Sequence, residues 1–68
     1  MIKEKLKYFR KLNNLRQVDI AKYLNITKSC YANYEQGKGG ELKVSQIIKL
    51  CNLYLITPND LLGYDDYN

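Results

Sequence analysis

A chain of 68 residues has room for one domain with a thin core, because a short chain buries a smaller share of its surface than a long one. Its hydrophobic fraction of 46% is typical of a globular protein and argues against disorder. The longest apolar run is far too short for a membrane helix, and the lysine-rich N-terminus lacks the apolar segment of a secretory signal. We therefore expect a cytoplasmic protein that makes no membrane contact.

Few residues of this chain are suited to metal binding or catalysis. Histidine is absent, and Cys30 and Cys51 are the only cysteines, whereas structural zinc usually takes four Cys or His ligands. We expect no metal, no cofactor and no enzymatic activity, because a catalytic site needs a nucleophile, a base or a metal in a pocket. A disulfide is the alternative for the two cysteines, but a reducing cytosol favours free thiols packed as small hydrophobic side chains.

Charge is distributed unevenly along the chain. Residues 1–38 carry nine basic and three acidic side chains, whereas residues 39–68 carry two basic and four acidic ones. The net charge of +4 therefore comes from the first half, which would attract a polyanion such as nucleic acid. Charge alone leaves open the alternative of a solvated, lysine-rich surface.

The pattern of apolar residues predicts five helices, and no stretch alternates for long enough to indicate a strand. The first helix, at about residues 2–13, places its apolar side chains on one face. The second, at about residues 17–24, ends at Asn25, a residue that tolerates the left-handed backbone of a tight turn. Thr27 is the predicted N-cap of the third helix, and Gly37 is its predicted C-terminal stop.

The last two helices follow a loop rich in glycine at residues 37–40. The fourth, at about residues 44–53, has an apolar stripe that we expect to be buried. The residues of that stripe are Val44, Ile47, Ile48 and Cys51, with Leu50 and Tyr54 widening it. The fifth begins with Thr57 as N-cap, Pro58 at the first helical position and Asp60 at the third.

The third helix has two different sides when its residues are spaced at about 100° each. Its apolar back consists of Cys30, Tyr31 and Tyr34. Its front carries Lys28, Ser29, Ala32, Asn33 and Gln36. Serine and asparagine are poor helix formers, so a front of this kind suggests contact with another molecule. Small polar residues on an ordinary solvated surface are the alternative that this helix alone leaves open.

The two short helices around Asn25 form a unit whose second member can be presented outward. The major groove of B-DNA admits an α-helix, and residues near the N-terminus of that helix contact base edges. Lys28 and Ser29 lie in the first turn of the third helix, and Asn33 lies one turn further on. Gln17, at the start of the preceding helix, is placed to reach a phosphate.

These residues resemble the lambda-repressor and Cro-type, or XRE, family of helix-turn-helix regulators. The resemblance is centred on L-R-Q-V-D-I-A-K-Y-L-N-I-T-K-S-C-Y-A-N-Y-E-Q-G-K, residues 15–38, with the spacing Q-x-x-x-A-x-x-L-x-I-[ST] to Y-E-x-G. It extends upstream through I-K-E-K-L-K-Y-F-R-K and downstream through I-I-K-L-C-N-L-Y-L-I-T-P-N-D-L-L. About residues 2–62 are therefore covered.

The resemblance implies a compact, all-α domain of five helices at residues 1–63. Its helix-turn-helix would lie at about residues 17–36, and a short acidic and aromatic tail would occupy residues 64–68. It also implies a bacterial or phage-encoded transcriptional regulator, expected to be a repressor that binds a double-stranded DNA operator as a homodimer.

The resemblance also assigns roles to individual positions. Lys28, Ser29 and Asn33 match the positions that contact bases. Contacts to the DNA backbone are expected from Gln17, Arg16, Lys38 and Lys43. Arg10 and Glu35 match a family ion pair that ties the first helix to the third, whereas the alternative for Glu35 is an unpaired surface carboxylate.

The chain departs from the family pattern at several positions. Arg16 stands where serine or threonine often caps the second helix, so that helix loses a side-chain cap. Leu55 replaces a frequent glycine and adds apolar surface near Tyr54 and Ile56, which indicates either dimer surface or a core role for Ile56. Tyr8, Leu12 and Tyr23 occupy positions that are more polar in many relatives, although scattered surface aromatics are common.

A protein-interaction module is the alternative to a DNA-binding regulator. An antitoxin of the same fold could bind its partner through the C-terminal half, with Leu55, Tyr64 and the acidic tail as contacts. The acidic character of that half would suit a basic partner.

Overall fold

The computed structural model describes residues 2–63, in which it shows five α-helices and no strand. The helices are α1 (Ile2–Leu12), α2 (Gln17–Leu24), α3 (Lys28–Gln36), α4 (Val44–Tyr54) and α5 (Pro58–Leu62). The predicted all-α fold of five helices is confirmed, with boundaries that differ by one residue at the ends of α1 and α4. The expected tail at residues 64–68 lies outside the described residues. No helix within residues 2–63 is long and apolar enough to cross a membrane.

The turn between α2 and α3 has the chemistry that the sequence predicts. Asn25 ends α2 with a φ of 60°, in the left-handed region that asparagine tolerates better than most residues. The Thr27 hydroxyl accepts a hydrogen bond from the Cys30 amide at 3.1 Å, which satisfies one free amide at the start of α3. Gly37 ends α3 with a φ of 74°, where a residue with a Cβ would be strained.

The starts of α5 and α2 differ in their capping. At α5, Thr57 and Asp60 form the full reciprocal pair, with N–O distances of 3.1 and 3.2 Å. At α2, the arginine side chain of Arg16 has no acceptor and therefore cannot cap the helix. Half of the reciprocal arrangement remains, because the Asp19 carboxylate accepts a hydrogen bond from the Arg16 amide at 2.8 Å.

All five helices contribute buried side chains to the core, and α2 packs against α3. Its most deeply buried side chains are Tyr31, Leu6, Ile20, Leu50 and Leu61. Phe9 of α1 stacks on Tyr54 of α4, with ring centroids 5.8 Å apart. Both cysteines are free thiols; Cys51 is buried as expected, whereas Cys30 is only half-buried.

The predicted buried face of α4 is wrong at two of its residues. Val44 and Ile48 are 72% and 53% exposed, and the buried positions are Gln46, Leu50, Cys51 and Tyr54. Apolar residues occupy more than half of the circumference of α4, and only part of that circumference is buried. The Phe9–Tyr54 stack turns the Leu50 and Tyr54 side of α4 towards the core, so the Val44 and Ile48 side faces solvent.

This orientation of α4 predicts different costs for two similar truncations. Leu50→Ala removes a fully buried side chain and should lower the free energy of unfolding by about 2–5 kcal/mol. Ile48→Ala, on the same helix, is the matched control and should cost well under half as much. Urea denaturation of dilute protein measures both, and equal losses would contradict the orientation described here.

Candidate nucleic-acid interface

Helix α3 presents its polar front to solvent and its aromatic back to the core. Tyr31 has no exposed surface, and Cys30 and Tyr34 are half-buried. Lys28, Ser29 and Asn33, all predicted to contact bases, are exposed. Ser29 and Asn33 are four positions apart and therefore lie on the same side of α3, and Lys28 lies at the edge of the same sector of roughly 140°.

The Glu35 carboxylate joins α3 to both α1 and α2. Arg10 of α1 approaches it with two nitrogens, Nε at 2.7 Å from Oε2 and Nη2 at 3.1 Å from Oε1. Gln17 of α2 donates from Nε2 to Oε1 at 3.2 Å. A third guanidinium nitrogen of Arg10 donates to the Leu15 carbonyl at 3.0 Å, which also holds the turn before α2. Glu35 is therefore not an unpaired surface carboxylate.

This cluster lies inside the protein rather than on its surface. The side chains of Arg10 and Glu35 are 11% and 3% exposed, respectively. Burial raises the pKa of Glu35, but its contacts with Arg10, Tyr31 and Gln17 lower it by more, so the net pKa lies below the ordinary value of 4.5. The carboxylate is consequently ionised at neutral pH and pairs fully with the guanidinium.

Two tyrosine hydroxyls are buried near this ion pair. Burial is the main cause that raises the pKa of Tyr31 above its ordinary value and that of Tyr54 to about 12. Neither hydroxyl has a hydrogen-bond partner of ordinary geometry among the described residues. Both tyrosines therefore remain neutral and pack as large hydrophobic groups with one polar atom each, Tyr31 on the back of α3 and Tyr54 on α4.

A shallow groove lies between the start of α2 and the start of α3. Its polar lining residues are Arg10, Arg16, Gln17 and Lys28, and Leu15 and Val18 complete it. The structure thus places two expected backbone contacts, Arg16 and Gln17, beside the expected base contact Lys28. The Arg16 guanidinium also pairs with Asp19, with Nη2 and Oδ1 3.1 Å apart, but it is 78% exposed and accessible to an anion.

The other end of α3 has its own polar surface. Asn33 and Lys38 line a depression there, and the Lys38 amide donates to the Asn33 carbonyl at 2.9 Å. Lys38 is exposed. Lys43 does not line this depression or the groove at the start of α2; it is the exposed N-cap residue of α4.

Lys3 also belongs to this surface, although it is not among the residues expected to contact DNA. It lines the same depression as Asn33, and its Cδ would lie 3.0 Å from a Cβ added at Gly37. A cation at this place is favoured by the carbonyl end of α3. The sequence does contain an indication of this position of Lys3. Lys3 and Arg10 are seven residues apart, a spacing that places both on the side of α1 that faces α3.

Comparison with known proteins identifies relatives over nearly the whole chain. Residues 6–61 match the family model described as helix-turn-helix. An uncharacterized HTH-type transcriptional regulator of Methanocaldococcus jannaschii is 35% identical over 66 residues, which are 96% of this chain and 97% of that protein.

A solved structure shares the fold. The crystal structure of a transcriptional regulator from Listeria innocua matches with a TM-score of 0.87 and 25% sequence identity. The match covers 94% of this chain and 59% of the Listeria chain, so the present protein spans about three fifths of that longer one.

The Glu35 cluster predicts a specific loss of stability on removal of its charge. Glu35→Gln leaves the Arg10 guanidinium buried without a counter-ion and should cost about 3 kcal/mol at pH 7, the lower end of the range for breaking a buried pair. Asp19→Asn is the matched control, because it removes a similar partner from the exposed Arg16, where water screens the pair. Thermal denaturation would contradict this prediction if both variants lost the same amount.

The same cluster predicts the pH dependence of stability. Because the folded-state pKa of Glu35 is lowered, its stabilising effect is complete above about pH 4.5 and is lost as the pH falls through the folded-state value. The difference in melting temperature between the wild type and Glu35→Gln should therefore shrink below about pH 4.5. A difference that stays constant down to pH 2 would show that the charge of Glu35 is not the cause.

Proposed function

The chain belongs to the XRE-type helix-turn-helix family, and from that premise we propose that it is a sequence-specific, DNA-binding transcriptional regulator. Its operator is double-stranded DNA, and α3 lies in the major groove. We further propose a cytoplasmic repressor that acts as a homodimer in a bacterial or phage setting. The observation that carries the proposal is the exposed polar front of α3, held in place from behind by the Glu35 cluster.

The front of α3 suits contacts with base edges. An asparagine amide can form two hydrogen bonds with adenine, and lysine donates to the acceptors of guanine. Asn33 and Lys28 are exposed on one side of a helix whose opposite side is fixed by the burial of Tyr31, and Glu35, at the edge between the two sides, is fixed by Arg10. Base contacts gain from such rigidity, because little conformational freedom is lost when the complex forms.

Groups suited to phosphate contact lie at both ends of the front. Arg16, Gln17 and the free amides at the start of α2 flank Lys28 on one side. Lys38 and Lys3 flank Asn33 on the other. A helix in the major groove has a DNA strand along each side, so this arrangement supplies a cation for each strand while Lys28, Ser29 and Asn33 face the bases.

A protein-interaction module is the second candidate function, and one observation favours it. Val44, Ile48 and Leu55 are large apolar residues exposed to solvent on the C-terminal half of the chain. An antitoxin or another partner-binding protein could use them, with or without DNA binding. The salt dependence of DNA binding distinguishes a DNA-binding regulator from a partner-binding protein that does not bind DNA.

Titration onto random duplex DNA at several salt concentrations tests the DNA-binding function. Each phosphate neutralised by lysine or arginine releases counter-ions, so the affinity should fall steeply as salt rises. Binding that is absent at low salt, or that is indifferent to salt, would contradict the proposed function and favour the partner-binding one.

Three alanine variants test the proposed division between base and backbone contacts. Lys28→Ala and Asn33→Ala should each lose about 1–3 kcal/mol of discrimination between the selected operator and random DNA. Lys38→Ala is the matched control and should weaken binding to both DNAs alike. The operator is first obtained by selecting bound sequences from a random pool, and equal loss of specificity in all three variants would refute this division.

A further inference from the structure

Gln46 is a polar residue of α4 that the fold buries. It is 8% exposed and stands at the third position of the helix. Its Oε1 accepts a hydrogen bond from the Lys43 amide at 2.8 Å, which leaves the side-chain nitrogen free to donate elsewhere. Burial of an amide is costly unless its polar atoms are hydrogen-bonded, so the partners of Gln46 constrain where the start of α4 can lie.

The Tyr34 hydroxyl of α3 is a second partner of the Gln46 side chain. Tyr34 is half-buried, and its hydroxyl is in hydrogen-bond contact with Cys30 and with Gln46. The contact with Cys30 and burial raise the pKa of Tyr34, whereas the contact with Gln46 acts to lower it. A group that donates to the phenol oxygen has this lowering effect, because it stabilises the phenolate. Since Oε1 of Gln46 accepts from Lys43, its nitrogen is the donor, and Gln46 joins α3 to the start of α4.

This link connects two helices that pack chiefly on other partners. Helix α3 packs against α2 and α1, and α4 packs against α5. The segment between them, residues 37–43, contains three glycines, and Gly39 has a φ of 81°. Glycine gives such a segment wide conformational freedom. The place of the start of α4 relative to α3 therefore depends on side-chain contacts such as the one between Tyr34 and Gln46.

The two lysines at the ends of this segment are held in different ways. The Lys38 amide donates to the Asn33 carbonyl at 2.9 Å, so the backbone itself attaches Lys38 to α3. The Lys43 amide instead donates to the Gln46 side chain. The Lys43 side chain has no acceptor and cannot cap α4 in return. The place of Lys43 relative to α3 is therefore set through Gln46, and that of Lys38 is not.

Lys43 lies next to the depression at the end of α3. Leu42 precedes it in the chain and lines the depression together with Ile47, Asn33 and Lys38. Lys43 itself is exposed and is one of the residues expected to contact the DNA backbone. A lysine on an ordered backbone loses less conformational freedom when it meets a phosphate than a lysine on a freely moving segment.

We propose that Gln46 is a positioning residue for DNA binding, which holds Lys43 in register with the front of α3 through its contacts with the Lys43 amide and the Tyr34 hydroxyl. Gln46 is buried and acts on DNA only through Lys43. The inference rests on the proposed function and adds to it a residue outside the expected DNA contacts.

Binding of the full chain to the selected operator, titrated at several salt concentrations, tests the proposal. Lys43→Ala should lower the slope of log affinity against log salt concentration by about 1, the amount expected for one lost phosphate contact. Gln46→Met keeps the length of the side chain but removes its hydrogen bonds, and it should lower the slope by at least about half as much. In the Lys43→Ala protein, Gln46→Met should have no further effect on the slope or the affinity, because the residue that it positions is gone.

Two controls separate positioning from a general effect on the fold. In the Lys38→Ala protein, Gln46→Met should keep its full effect, because Lys38 is held by the Asn33 carbonyl. Asn52→Met makes a comparable change at an exposed amide of α4 and should leave the slope unchanged. Circular dichroism confirms that each variant is folded under the conditions of the titration.

Tyr34→Phe provides a second variant that does not alter α4. It removes only the hydroxyl and leaves the ring in its edge contact with Tyr31, where the ring centroids are 6.5 Å apart. It should lower the salt slope in the same direction as Gln46→Met, and it should likewise have no effect in the Lys43→Ala protein. If Gln46→Met does not fold, this pair of measurements decides the proposal.

Two results would overturn the inference while operator binding by the wild type remains. The first is equal weakening of the wild-type and Lys43→Ala proteins by Gln46→Met, which would show a general structural role. The second is a salt slope that either Gln46→Met or Lys43→Ala leaves unchanged. A wild-type protein that binds no operator at low salt would instead contradict the proposed function, and the inference with it.

Discussion

The buried carboxylate of Glu35 is the interaction on which the rest of the structure depends. It lies on α3, accepts two hydrogen bonds from Arg10 of α1 and one from Gln17 of α2, and so fixes three helices at one point. A buried ion pair contributes little net stability, but the loss of one partner is costly because the other remains charged. The cluster therefore selects one arrangement of the helices rather than adding much to their stability.

That selection explains how a short helix with a weak intrinsic tendency to form can present a defined surface. Helix α3 contains serine, asparagine and two tyrosines, none of which is a strong helix former. It is held instead by the cap at Thr27, the stop at Gly37, the burial of Tyr31 and the anchoring of Glu35. Because these contacts hold the helix, its front can carry short polar residues that are themselves poor helix formers.

The exposed surface is shaped by the small size of the domain. The core buries Leu50, Cys51 and Tyr54 of α4, whereas Val44 and Ile48 of the same helix face solvent. A short chain buries a smaller share of its surface than a long one, so exposed apolar residues of this kind are expected. These residues are the observation that favours the second candidate function, the binding of a protein partner.

Local chemistry was determined by the sequence alone, whereas the orientation of whole elements was decided by tertiary packing. Asn25, Thr27, Gly37 and the Thr57 cap act on neighbouring backbone groups, so their effect could be predicted without knowledge of the fold. The separation of the two sides of α3 followed from helical spacing for the same reason. The buried side of α4 could not be predicted, because apolar residues occupy more than half of its circumference and packing against other helices, including the Phe9–Tyr54 stack, decides which of them face the core. Lys3 was missed likewise, since its proximity to Gly37 arises only when α1 is docked against α3.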